Sequence, residues 1–157
     1  MSVSRYTRSP TPLRSVFAPS TPVPPPSIRS PRLPLVLIAD DVPENRKLFT
    51  LYLRGKFEVV TASTVEEALS LLRQRPFEAA LLDINYGGGK DGFDAIREIR
   101  ADPQLAKLPA AALTAHVAPE DRDQCINAGF DAFLAKPVRR AEMQDALRSL
   151  LRLRAAA

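Results

Sequence analysis

The chain has one cysteine, no long apolar run and, up to Pro34, no acidic residue. The single cysteine, Cys125, excludes an internal disulfide and a thiolate metal cluster, and fits a reducing cytoplasm. No stretch approaches the ~20 apolar residues of a membrane span. No apolar h-region stands near the N-terminus, which argues against secretion. The missing acids explain the net charge of +4. Five of the 22 basic residues (Arg5, Arg8, Arg14, Arg29 and Arg32) precede Leu35, leaving 17 basic against 18 acidic residues beyond it. The basic character therefore belongs to a tail and not to a nucleic-acid-binding face.

Nine of the 15 prolines also lie in the first 34 residues, among Ser, Thr and Arg. Such a segment buries too little apolar surface to offset ordering entropy. Residues 1–33 are expected to be a disordered tail with polyproline II stretches near Pro24-Pro25-Pro26, and residues 34–157 a single domain. An organelle leader shares the Arg- and Ser-rich composition, but a solvated linker, or a start codon placed too early, is the preferred reading. The whole chain is 45% hydrophobic and 25% charged, ordinary values for a soluble protein with one core.

From Leu35 onward, short apolar runs alternate with helical periodicity. Strands are expected at 35–39, 57–61, 79–82, 110–113 and 132–135. Helices are expected between them, the first over 43–54 with Leu48, Leu51 and Tyr52 at helical spacing and Gly55 as its stop. Thr64 and Glu67 form a capping-box pattern ahead of the second helix. The last helix is expected over 139–154. Five β–α units in about 120 residues predict an α/β fold with a parallel sheet of flavodoxin-like order 2-1-3-4-5 and five helices.

The expected strand ends carry the chemistry. The first ends in Asp40-Asp41, the third in Asp83, the fourth in Thr114 and the fifth in Lys136. In a doubly wound sheet these side chains converge on the crevice beyond the carboxyl ends. At ~4 Å and an effective dielectric near 20, each carboxylate pair repels by about 4 kcal/mol before screening. Lys136 offsets one charge, and the rest calls for a divalent cation or raised pKa values. An all-oxygen set suits Mg2+, or Mn2+, over Zn2+. Asp83, central in the sheet, is the candidate nucleophile toward phosphorus. Asp40 and Asp41 are then candidate metal ligands, and Lys136 and the Thr114 hydroxyl can meet phosphoryl oxygens.

The segments LIADD, LLDINYGGGKDGFDAIREIR, AALTA and AGFDAFLAKP, in this order, resemble a response-regulator receiver domain of the CheY type. The resemblance runs from about Leu35 to Arg154 and implies two-component signalling. It implies Asp83 as phosphoacceptor, Mg2+ on Asp40, Asp41, Asp83 and the Asn85 backbone carbonyl, and Thr114 and Lys136 at the phosphoryl group. It also implies a cis Lys136-Pro137 bond and Phe133 as a switch aromatic coupled to Thr114. The implied partners are a sensor histidine kinase or phosphotransfer protein upstream and a protein target on the α4–β5–α5 face downstream. The expected protein is a stand-alone receiver rather than an enzyme, at most hydrolysing its own acyl phosphate slowly. It would be monomeric or dimerise on phosphorylation. About 20 residues follow Pro137, so no DNA-binding output domain is expected.

The chain departs from the family in the loop after Asp83, which holds Gly87-Gly88-Gly89, lacks proline and is one residue longer than the common form. Lys90 is followed by Asp91, so the loop is no P-loop. Packing alone explains Phe133 equally well. The lone His116 is either a neighbour of the site or an idle loop residue. A binding module that is never phosphorylated would not need the repulsive cluster. A flavin-binding protein would not place Asp40-Asp41 where a phosphate binds.

Overall fold

The computed structural model describes residues 31–116 and 118–156. The fold below belongs to the unit Arg32–Ala157. The tail expected over residues 1–33 falls almost wholly outside the described residues.

Five strands, β1 (Leu35–Ala39), β2 (Glu58–Ala62), β3 (Ala79–Asp83), β4 (Ala110–Thr114) and β5 (Ala132–Ala135), alternate with five helices. These are α1 (Pro43–Leu53), α2 (Val65–Gln74), α3 (Gly92–Ala101), α4 (Pro119–Ala128) and α5 (Arg140–Ala156). The sheet has the order β2-β1-β3-β4-β5 with every pair parallel, as the alternation predicts.

Side chains of successive strand residues leave opposite faces of a sheet. Val36, Ile38, Ala79, Leu81, Ala111 and Leu113 therefore point to one core, closed by Phe49 and Leu53 of α1 and by Met143, Leu147 and Leu150 of α5. Leu37, Ala39, Ala80, Leu82, Ala110 and Ala112 enter the other core, against Ala68 and Leu72 of α2 and Ile96 and Ile99 of α3. Burial on both faces is why these strands read as continuous apolar runs.

Two expectations need correction. β2 begins one residue late, because Phe57 still donates its N–H to Leu53 O in the turn that ends α1. On α1 itself, Leu48 and Leu51 are 41% and 56% exposed, while Phe49 and Leu53 are buried. Both sets recur at helical spacing, and Tyr52 lies at their border. Periodicity identifies the helix but does not choose between two adjacent apolar stripes. Among the described residues no helix is long and apolar enough to cross a membrane.

Candidate functional site

Parallel strands put all their carboxyl ends at one edge, and there the five expected side chains sit. Asp40 follows β1 directly and is fully buried. Its Oδ1 accepts a hydrogen bond from Val42 N (2.9 Å) and its Oδ2 one from Asn45 Nδ2 (3.1 Å). Arg46 Nη1 donates to the Asp40 carbonyl at 2.8 Å. The start of α1 thus fixes the residue that follows β1.

Asp83 closes β3 and is 2% exposed. Its Oδ1 accepts from Asn85 N at 3.0 Å and its Oδ2 from Lys136 Nζ at 2.9 Å. Lys136, immediately after β5, also donates to Asp40 Oδ2 at 3.1 Å, so one ammonium bridges two buried carboxylates. Asp41 is half-buried, and its Oδ2 accepts from Gly87 N at 2.9 Å. Carboxylate oxygens of Asp40, Asp41 and Asp83 lie within 4.8 Å of one another. Thr114 ends β4, is buried, and accepts from His116 N at 3.0 Å.

The electrostatics follow from this packing. Burial pushes the Asp83 carboxyl above its usual range, against the hydrogen bonds from Lys136 and Asn85 N. Burial pulls Lys136 the other way, but its hydrogen bonds to Asp83 and Asp40, and their charges, leave the ammonium above its usual value. Three carboxylates face one ammonium, and every ligand atom this cluster offers is an oxygen. That donor set fits a hard divalent cation.

Asn85 lies on the loop after Asp83, with its side chain exposed and its N–H turned to Asp83. Lys136-Pro137 is cis. Phe133 stands on β5 in register with Ala112 and is half-buried, with the Arg122 guanidinium carbon 5.5 Å from its ring centroid. His116 is exposed. Behind Thr114, a cavity of about 180 Å3 is lined by Ile84, Phe93, Gln124 and Cys125 among others.

Two participants escaped the sequence reading. Tyr86 packs on the α2–α3 side of the sheet, and its buried hydroxyl has no hydrogen-bond partner among the described residues. Burial, then the charges of Asp83, Asp40 and Asp41, push that hydroxyl's pKa far up, so it remains a proton donor. The other is the Gly87 N–H on Asp41. A backbone donor has no side-chain signature, and a tyrosine in a Gly-rich loop has no periodicity to place it.

Known proteins are similar to this chain in sequence and in fold. The chain is 38% identical over 104 residues to an uncharacterized 14.6 kDa protein of the sodA1 3′ region in Leptolyngbya boryana, covering 66% of this chain and 79% of that one. It is 34% identical over 118 residues to the sensor protein GacS of Pseudomonas syringae pv. syringae, covering 73% of this chain but only 13% of that relative's length. Among solved structures it is similar to the receiver domain of the sensor histidine kinase PA1611 from Pseudomonas aeruginosa PAO1, which has a magnesium ion coordinated in its active-site cleft. That likeness has a TM-score of 0.68 at 32% identity, over 79% of this chain and 99% of that one. The response regulator receiver domain family matches residues 36–148, and the chain belongs to this family of two-component signalling domains.

Proposed function

We propose that this protein is a receiver that takes a phosphoryl group onto Asp83 from the phosphohistidine of a histidine kinase or phosphotransfer protein. The observation that carries this reading is the gathering of Asp40, Asp41, Asp83, Thr114 and Lys136 at one sheet edge, with three carboxylates within 4.8 Å of one another. So much uncompensated charge opposes folding and is best explained by a ligand it serves.

Asp40, Asp41, Asp83 and the Asn85 carbonyl would hold Mg2+, with Mn2+ as a substitute. Bound there, the cation supplies positive charge to a phosphoryl oxygen. An Asp83 carboxylate oxygen forms the new bond to phosphorus as the donor's imidazole nitrogen leaves with its electron pair. The Lys136 ammonium, already on Asp83 Oδ2, favours the ionised nucleophile and is placed to follow the transferred charge. Thr114 would redirect its hydroxyl, which donates to the His116 carbonyl at 3.2 Å, to a phosphoryl oxygen. Phe133, two residues before the Thr114 partner Ala135 on the neighbouring strand, would answer that shift and carry it to the α4–β5–α5 face.

On this reading the output is contact with a partner protein, by a monomer or a phosphorylation-dependent dimer in the cytoplasm. Any turnover is confined to slow loss of the chain's own phosphate. The test is intact mass after incubation with Mg2+ and acetyl phosphate. One added phosphate on the wild type and none on Asp83→Asn is the expected result. No added mass on either, with no Mg2+ uptake, would sink the proposal.

A further inference from the structure

Asp40 and Asp83 are each held by several donors, but Asp41 has one hydrogen bond among the described residues, from the Gly87 peptide N–H at 2.9 Å. A half-buried aspartate with a single anchor is otherwise free to change rotamer. The anchor is itself well placed. At the base of its loop, Ile84 N donates to Leu113 O and Gly92 N to Ile84 O. A Cβ on Gly92 would come within 2.3 Å of the Asp83 carbonyl, so the loop's far end lies directly on the acceptor's backbone. Between these points the Tyr86 ring packs against the core, and Gly88 N donates to Tyr86 O at 3.0 Å. The Gly87 N–H is thus presented to Asp41 from a loop fixed on both sides.

We propose that the Gly87 peptide N–H is the positioning donor for Asp41. It keeps this carboxylate gathered with Asp40 and Asp83, so that Mg2+ affinity depends on the Gly87–Asp41 bond. By reciprocity, a bound cation strengthens that bond. The inference rests on the metal-holding role given to Asp41 above.

Gly87 is not among the glycines with positive φ, so residues with a Cβ fit its backbone. Alanine there keeps the N–H and brings a Cβ to 3.3 Å from Asp41 Oδ2, a contact the side chain relieves by a small shift. Proline removes the N–H. Mg2+ is titrated calorimetrically into the full-length wild type, Gly87→Ala and Gly87→Pro. Loss of an outer hydrogen bond to a ligand predicts affinity roughly 10- to 100-fold weaker for Gly87→Pro, and a clearly smaller loss for Gly87→Ala, which keeps the N–H. Equal affinity in all three proteins would overturn the inference and leave the metal reading standing. A wild type that takes up no Mg2+ would overturn both. A second measurement does not require Gly87→Pro to fold: amide exchange at Gly87 without metal. Protection in the wild type that is lost in Asp41→Ala is expected. The same exchange rate in both would refute the positioning bond.

Discussion

Two wholly or almost wholly buried carboxylates, Asp40 and Asp83, share one ammonium, and a third, Asp41, stands beside them. Removing ions from water costs several kcal/mol each, recovered only where geometry and hydrogen bonds are good. Here Asp40 and Asp83 are met by Val42 N, Asn45, Asn85 N and Lys136, yet negative charge remains in excess. Near them the Tyr86 hydroxyl is buried without a partner among the described residues. An unmet buried donor costs about 1–3 kcal/mol, so a phenyl ring of the same shape should do no harm. Tyr86→Phe in metal-free buffer is expected to be as stable as the wild type or more so, by up to about 1 kcal/mol in urea unfolding. A clear loss of stability would show that the hydroxyl does find an acceptor.

The helices are placed by their ends as much as by their faces. Thr64 Oγ1 accepts from Glu67 N at 3.1 Å, while the Glu67 carboxylate reaches one residue further back than a capping box requires, to Ser63 N at 2.7 Å and Ser63 Oγ. Thr64→Ala should cost about 1 kcal/mol, read as a lower denaturation midpoint. The bond from Ser63 N, then the Ser63 hydroxyl, hold Glu67 below its usual value of 4.5. The stability that Glu67 contributes is therefore complete above the unfolded value of 4.5. It disappears as pH falls through the lower folded value. Glu67→Gln should be less stable than wild type near neutrality and converge with it in acid; a constant gap between pH 7 and 3 would contradict this. Such local signals explain what was legible beforehand. Thr64 with Glu67, Gly55 with φ of 79°, and the apolar runs of β1, β3 and β4 each declare an element. The stripe by which α1 packs was not legible, because Phe49 and Leu53 become the inner face only once α5 and the sheet are in place.

At the scale of the molecule, function follows from topology. Parallel winding in the order β2-β1-β3-β4-β5 brings residues 96 positions apart, Asp40 and Lys136, to 3.1 Å. The carboxyl ends of strands were therefore enough to find the five polar side chains of the site. The loop 84–92 was not resolved by the same reasoning, because its contribution is a backbone N–H and a ring that packs without periodicity. The central claim is that Asp83 carries the phosphoryl group, and borohydride trapping after Mg2+-dependent phosphorylation tests it most directly. Reduction turns an aspartyl phosphate into homoserine, which peptide mass mapping can locate. Homoserine at position 83 alone is the predicted result. Homoserine at another aspartate, or phosphate retained on His116, would contradict the account.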